Sequence, residues 1–177
     1  MKTNWLALLG LTLVLSIGTA CAQERVTVDP VSDLRVKLGQ SVPVHFTIHI
    51  KPGFHVNSHQ PMSPELIATE MKFSPPEDLV IAKVKYPPGE LMSFPFDPTN
   101  KLSVYSGDVM VRAVVLPQPK ANAGRYTVHG ELRYQACDNS SCYPPKRLPV
   151  SFNVRIGSGS GGGRTARPTR TSPHIHN

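Results

Sequence analysis

The stretch Val42-Pro-Val-His-Phe-Thr-Ile-His-Ile50 decides the fold class, because apolar and polar residues alternate along its whole length. A period of two residues is typical of a β-strand with one face against a core and the other in water. The same alternation recurs at Val109–Val115, Tyr126–Tyr134 and Leu148–Ile156. Shorter strands are predicted at residues 25–29, 54–57, 67–73 and 79–85.

Turn-forming residues separate these segments, as at Lys51-Pro-Gly53, Ser74-Pro-Pro76 and Tyr86-Pro-Pro-Gly89. The eighteen prolines and thirteen glycines of the chain also favour turns and short strands over long helices. About eight strands in roughly 130 residues, without a helical apolar stripe, predict an all-β protein. The expected architecture is an antiparallel β-sandwich of immunoglobulin-like type.

Residues 1–22 have the organisation of an export signal, in which Lys2 is followed by an apolar run and then by small residues. The apolar run is too short to span a bilayer of ~30 Å. Two processing sites compete: Ala20-Cys21-Ala22 fits plain cleavage, and Gly18-Thr-Ala-Cys21 resembles a lipoprotein box that would place a lipid anchor on Cys21. We favour plain cleavage, because the box normally begins with leucine where this chain has glycine.

Three parts are therefore expected: an export signal at 1–22, a folded domain at 23–156 and a disordered Gly/Arg-rich tail at 157–177. The formal net charge is +7, but one of the cations lies in the leader and three arginines lie in the tail. Removing these four leaves +3 for the domain, and no basic-aromatic patch supports nucleic-acid binding. Export places the domain in a periplasmic or secreted, oxidising compartment.

Two of the three cysteines lie in Tyr134-Gln-Ala-Cys-Asp-Asn-Ser-Ser-Cys-Tyr-Pro-Pro145, between the last two alternating segments. At a hairpin end, Cys137 and Cys142 can approach closely enough for a disulfide. They could form a redox pair, a structural staple or part of a metal site. A staple that closes a loop of about six residues would contribute only about 2 kcal/mol, which favours the redox pair.

A zinc site would need further ligands, for which His55, His59 and His129 are candidates, but nothing in their spacing requires zinc. We therefore expect no metal.

The phase of the preceding strand places Ala136 on the apolar face, so Cys137 is expected on the opposite, wetter face or where the strand bends. An exposed disulfide is open to attack by a thiolate of another protein. Lys146 and Arg147 follow shortly after in the chain, and their charges could favour the thiolate of Cys142, while Asp138 would oppose a thiolate at Cys137. The three charges could equally belong to a solvated loop.

The cysteine motif at 134–145, preceded by Gly53-Phe-His-Val-Asn57, resembles the N-terminal (alpha) periplasmic domain of the bacterial thiol:disulfide interchange protein DsbD. The resemblance covers about residues 26–156. It implies an immunoglobulin-like fold without a cofactor. It also implies a redox relay that takes electrons from a thioredoxin-like domain and passes them to periplasmic disulfide-exchange proteins, including those of cytochrome c maturation. The chain would then be a component of a protein-disulfide reductase.

Carried over residue by residue, the resemblance makes Cys137 and Cys142 the redox pair. Cys142 would form mixed disulfides with partners, and Cys137 would resolve them. His55 and Asn57 fall where the family lines the floor of the active site, although His55 could equally be a surface histidine.

The segment Leu102-Ser-Val-Tyr-Ser-Gly107 falls where the family has a cap loop with an aromatic residue. Tyr105 is then the candidate cap, although a tyrosine before a Ser-Gly turn also serves as simple packing. Tyr143, next to the second cysteine, belongs to the predicted surroundings of the site. Two features depart from the family: four rather than five residues separate the cysteines, and acidic cap-loop residues are missing, so a carboxylate-assisted proton transfer is not carried over.

The sequence lacks the membrane-embedded and thioredoxin-like domains that accompany this module in the family. We therefore expect a thioredoxin-like protein and a membrane electron carrier on separate chains. The alternative function is that of a non-enzymatic β-sandwich binding or interaction module, whose hairpin disulfide only rigidifies a loop.

Overall fold

The computed structural model describes residues 24–157, and this part of the chain consists of β-strands and loops without a helix. The strands are β1 (Val26–Val28), β2 (Leu34–Lys37), β3 (Val42–Ile50), β4 (His55–Asn57), β5 (Glu70–Ser74), β6 (Leu79–Lys85), β7 (Glu90–Phe94), β8 (Asp97–Tyr105), β9 (Asp108–Pro117), β10 (Gly124–Tyr134), β11 (Ala136–Cys137) and β12 (Lys146–Gly157). The predicted export signal, Cys21 and the tail beyond Gly157 lie outside the described residues. Within the described range, no helix could span a membrane.

The strands form three four-stranded sheets. The first sheet has the order β1-β3-β9-β6, the second β2-β12-β10-β5 and the third β11-β4-β8-β7. Neighbouring strands are antiparallel except β2 and β12, which run parallel. The first and second sheets bury their inner faces in one hydrophobic cluster. This arrangement confirms the predicted immunoglobulin-like β-sandwich.

The core depends on the alternation that predicted the strands. In β3, every second residue from Val44 to Ile50 is buried, and β9 buries Val109 to Val115 in the same way. At the centre, the ring of Phe46 lies 5.2 Å from that of Phe73 and 5.7 Å from that of Phe152, measured between centroids. Because these two partners belong to the second sheet, one aromatic cluster joins both layers.

Periodicity does not predict β2, β7 and β8, and it places the start of β5 three residues too early. In β2 only Val36 is buried, and four of the five residues of β7 are exposed. The hairpin of β7 and β8 also contains Pro95 and Pro98. In β2 and β7 too few side chains are buried for an apolar alternation, and β8 buries four successive residues, 102–105. None of the three strands therefore has the period of two that identifies core strands.

The hairpin of β10 and β12 leads directly to the cysteines. Its register runs from Gly124 opposite Ile156 to Tyr134 opposite Lys146. The intervening residues 135–145 leave the second sheet, and β11 at their start joins the third sheet by pairing with β4. The predicted position of the cysteine pair at the end of a hairpin is therefore confirmed. The third sheet supports the pair, because Cys137 belongs to β11 of that sheet.

We expect Phe46→Ala to lower the free energy of unfolding by about 3–5 kcal/mol, because it removes the ring that joins the two layers and leaves a cavity. Urea denaturation measures the change. Met110→Ala is the control: Met110 is 45% exposed on the adjacent β9, and its truncation should cost less than about 0.5 kcal/mol. Equal losses in the two variants would contradict this account of the core.

Candidate functional site

The site is built around a disulfide between Cys137 and Cys142, whose Cα atoms lie 4.0 Å apart. The two residues also form an isolated antiparallel bridge. Backbone hydrogen bonds close the loop on both sides: the amide of Asp138 donates to the carbonyl of Ser141, and the amide of Tyr143 donates to that of Ala136. The loop is therefore held by its backbone as well as by the disulfide.

The two cysteines differ sharply in exposure. Cys137 is only 1% exposed, whereas Cys142 is exposed. The expectation that Cys137 lies on the wetter face of the strand is wrong, and the alternative placement at a bend is correct. The reason is that β10 ends at Tyr134, after which β11 turns into the third sheet and pairs with β4. An external thiolate can therefore reach the disulfide at Cys142.

His55 lies directly opposite Cys137 in the pairing of β4 with β11. Side chains at opposed positions share one face, with Cβ atoms about 4.5–5.5 Å apart. His55 is 4% exposed, so the structure excludes the surface histidine that the sequence left open. Its Nε2 has no hydrogen-bond partner, which costs about 1–3 kcal/mol for a buried polar group. Burial lowers the pKa of His55, and the charge of Asp138 partly opposes this.

Phe94, the last residue of β7, covers His55, and Phe96, which follows in the turn to β8, lies on Phe94. The ring of Phe94 stacks on the imidazole with centroids 4.0 Å apart, and Phe96 stacks on Phe94 at 5.4 Å. Phe94 is buried, whereas Phe96 is 43% exposed. The family resemblance implied an aromatic cap, and these two rings are the aromatic side chains that lie over the histidine opposite the disulfide.

Tyr105 was the predicted cap, but its side chain is committed elsewhere. It is 4% exposed, its hydroxyl donates to the carbonyl of Pro87 at 2.8 Å, and the same hydroxyl accepts from the amide of His59 at 3.2 Å. On β8 it lies opposite Val56. These contacts give Tyr105 the packing role that the sequence offered as its alternative.

Asn57 is 2% exposed and anchors the connection that follows β4. Its side-chain amide donates to the carbonyl of Ile67 at 3.1 Å, and its own carbonyl accepts from the hydroxyl of Thr69 at 2.6 Å. The structure thus ties Asn57 to the 67–69 segment, so it supports the strand that carries His55.

Asp138 organises the interior of the cysteine loop. One carboxylate oxygen accepts from the amides of Ser140 and Ser141 at 2.8 and 2.9 Å, and the other accepts from the hydroxyl of Tyr143 at 2.7 Å. The bond from Tyr143, followed by the two backbone bonds, lowers the pKa of the Asp138 carboxyl. Only a loop in this conformation brings the donors together, so this cluster was not predicted from the sequence.

The start of β1 packs against the cysteine loop through Tyr143. The guanidinium of Arg25 lies 3.7 Å from the centroid of the Tyr143 ring and 5.4 Å from that of Phe54. These distances fit cation–π contacts. The carbonyl of Arg25 accepts from the amide of Lys51 at 2.9 Å, which fixes the backbone. Tyr143 is therefore held on its face by Arg25 and at its hydroxyl by Asp138.

The predicted support of the Cys142 thiolate by nearby cations is not what the structure shows. The amine of Lys146 pairs with the carboxylate of Glu24 at 3.7 Å, and Arg147 pairs with Glu131. Both acids neutralise cations that were expected to act on the sulfur.

Of the three histidines nominated for zinc, only His55 lies at the cysteines, opposite Cys137. His59 stacks on Tyr86 with centroids 3.8 Å apart and has its Nδ1 3.1 Å from the carbonyl of Thr69, while His129 is exposed on β10. Among residues 24–157, no group of three or more histidine, cysteine or acidic side chains is arranged to hold a metal ion.

The family model described as "Thiol:disulfide interchange protein DsbD, N-terminal" matches residues 22–152 of this chain. The chain belongs to this family. The match includes both cysteines, His55 and the hairpin of β7 and β8, and it confirms the resemblance found in the sequence. Among curated proteins, none matches the chain significantly.

Solved structures of DsbD N-terminal domains are similar to the chain at low identity. The domain from Neisseria meningitidis in its reduced form is 21% identical, with coverage of 63% of this chain and 77% of that one and a TM-score of 0.41. The DsbD N-terminal domain in complex with the N-terminal domain of PilB, also from Neisseria meningitidis, is 21% identical. This match covers 62% of this chain and 73% of that one, with a TM-score of 0.39. The seventh type I cohesin of ScaB from Pseudobacteroides cellulosolvens is 11% identical. This match covers 84% of this chain and 98% of that one, with a TM-score of 0.46. At these values the likenesses carry no argument about function.

We expect Tyr143→Phe to raise the pKa of the Asp138 carboxyl toward its ordinary value, because it removes the hydroxyl that contributes most to the shift and keeps the ring beneath Arg25. A carboxyl whose pKa is lowered by folding stabilises the folded state at pH values above its unfolded-state pKa. This stabilisation is lost as the pH falls through the folded-state pKa. The variant should therefore be less stable at neutral pH, with the difference vanishing in acid.

A carboxyl-detected NMR titration measures the pKa of Asp138, and thermal melts over the same pH range measure stability. Tyr126→Phe is the matched control, since the Tyr126 hydroxyl donates to the carbonyl of Asn122 away from the loop. An Asp138 titration identical in wild type and Tyr143→Phe would refute the assignment.

Proposed function

We propose that this chain is an exported thiol–disulfide interchange module that transfers two electrons at a time through the Cys137–Cys142 pair. One observation carries the proposal: in this member of the DsbD N-terminal family, the disulfide joins a buried cysteine to an exposed one. Such a bond has a defined point of attack, because thiol–disulfide exchange needs access to the sulfur that is attacked.

Reduction of the pair takes two steps. A thiolate of the electron donor attacks the sulfur of Cys142, the bond to Cys137 breaks, and Cys137 leaves as a thiolate. The second thiolate of the donor then attacks its own sulfur in the mixed disulfide, which releases Cys142 and leaves the donor oxidised. Two protons accompany the two electrons, and both cysteines end as thiols.

Delivery to an acceptor reverses these steps. The Cys142 thiolate attacks the acceptor disulfide, and Cys137 resolves the resulting mixed disulfide. The burial of Cys137 suits this resolving role, because a buried thiol meets Cys142 and does not meet other proteins. Phe94 and Phe96 are proposed to shield this side of the pair between encounters.

The partners follow from the family. The electron donor is proposed to be a thioredoxin-like protein or domain, supplied in turn by a membrane electron carrier, and the acceptors are proposed to be periplasmic disulfide-exchange proteins, with those of cytochrome c maturation among them. Export by residues 1–22 would place the module in the periplasm or outside the cell, and a lipid on Cys21 would be an alternative anchor.

The alternative is a binding module in which the disulfide is only structural. The loop contains few residues, so closing it contributes about 2 kcal/mol on the entropy model. The backbone bonds of Asp138 and Tyr143 and the carboxylate cluster already hold this loop. A further staple would therefore add little, which favours a reactive bond.

We expect Cys137→Ser to accumulate a mixed disulfide through Cys142 with a thioredoxin-fold protein whose second active-site cysteine is replaced by serine and whose first carries glutathione as a leaving group. Neither protein then has a resolving thiol. Non-reducing gel electrophoresis and mass spectrometry detect the adduct. Cys142→Ser is the matched control, and it should form little or none, since its remaining thiol is buried. Absence of an adduct with Cys137→Ser would refute the relay.

The reduction potential separates the two functions independently. We expect equilibration with dithiothreitol and glutathione buffers to give a value in the range of exchange proteins, roughly −120 to −270 mV. A value below about −300 mV would identify a structural disulfide and support the binding module.

A further inference from the structure

The imidazole of His55 has a buried nitrogen whose hydrogen-bonding capacity is unused in the oxidised protein. Its Nε2 is the one buried side-chain nitrogen or oxygen in residues 24–157 that has no hydrogen-bond partner. Buried polar atoms almost always have partners, and an exception in a native site calls for a functional explanation. The ring stacks on Phe94, and His55 is 4% exposed, so the atom is shielded from water.

The place of His55 in the third sheet suggests what its partner is. Cys142 lies opposite Cys137, and Cys137 lies opposite His55, so the three residues follow one another across the strands. In the oxidised state the Cys137 sulfur carries no proton and is bonded to Cys142. When the pair is reduced, a thiol appears at the position opposed to the imidazole, and this thiol has a proton to give.

We propose that His55 is the proton acceptor for Cys137 when the reduced pair resolves a mixed disulfide. The inference rests on the proposed exchange function and assigns a residue to its proton transfer. In this step, Nε2 takes the proton of the Cys137 thiol, and the thiolate attacks the sulfur of Cys142. The bond between Cys142 and the partner breaks, and the partner leaves as a thiolate that is protonated by water or by the imidazolium. One disulfide is lost and one is formed.

The surroundings keep the imidazole ready to accept a proton. Burial lowers the pKa of His55, so the ring is neutral at neutral pH. The cysteine loop faces it with Asp138, whose negative charge stabilises the imidazolium once it forms. From β11 the opposed group is Cys137 itself, and from β7 it is the uncharged Phe94.

The strand β8 contributes two further titratable residues. Tyr105 pairs opposite Val56, and its hydroxyl is engaged by Pro87, while Asp97 occupies the register position opposite Phe94. An acceptor that is neutral in the resting protein and is acted on by the negative charge of Asp138 is suited to a transient positive charge.

The test follows the decay of a mixed disulfide that needs no protein partner. Reduced wild type and reduced His55→Phe are mixed with oxidised glutathione, samples are quenched in acid, and the Cys142–glutathione adduct is quantified by mass. Phenylalanine keeps the stack on Phe94 and removes both nitrogens. His129→Phe, on an exposed position of β10, makes the same change away from the pair.

We expect the adduct of His55→Phe to decay about tenfold more slowly than wild type near pH 7. The effect is bounded at about thirtyfold, because a thiol with an ordinary pKa is about 3% thiolate at that pH. The two rates should converge as the pH rises through the pKa of the Cys137 thiol, since the base is then unnecessary. His129→Phe should match wild type throughout.

Each other outcome has a distinct meaning. Identical decay in wild type and His55→Phe at every pH overturns the inference, and so does slowing by one constant factor at every pH, which a purely structural role would produce. If oxidised glutathione neither forms an adduct with wild type nor converts its pair to the disulfide, the pair is unreactive and the proposed function fails first. Should His55→Phe not fold, as judged by its thermal melt, His55→Gln takes its place, since an amide hydrogen-bonds but takes no proton, and the same slowing is expected.

Discussion

The pairing of β11 with β4 is the contact on which the rest of the site depends. Through this pairing, Ala136 and Cys137 belong to the third sheet and not to the two sheets of the sandwich. Cys137 lies there opposite His55 and is only 1% exposed. Cys142 stays outside because the loop turns back after Asp138. The disulfide thus joins a buried cysteine to an exposed one, and a partner thiolate would approach it from the side of Cys142.

The β-sandwich supports this pairing by fixing the cysteine loop that follows β10. The long hairpin of β10 and β12 carries the cysteine loop, and its inner face is packed into the aromatic core around Phe46. At the loop itself, Asp138 collects the free amide groups and Arg25 covers Tyr143. The start of β1 and the end of β10 therefore meet at the loop, so its conformation depends on two distant parts of the chain.

The protonation of the site is influenced by the burial of His55 more than by the nearby cations. Lys146 and Arg147, which follow the cysteines in sequence, are each paired with an acid. What lies beside the buried cysteine instead is a neutral imidazole under an aromatic ring. A buried neutral base leaves the resting disulfide uncharged on its inner side, and it gains charge only when a thiol is present to supply the proton.

By itself the sequence determined the fold class, the core strands and the cysteine pair, because apolar alternation and a short motif are local properties that need no three-dimensional information. The family resemblance also predicted unequal roles for Cys137 and Cys142, and these roles stay a prediction. Tertiary structure alone decided that Cys137 is buried, that Phe94 and not Tyr105 stacks over His55, and that Asp138 and Arg25 hold the loop. These contacts join residues far apart in the chain or depend on a change of sheet between β10 and β11, and strand phase cannot be extended across such a turn.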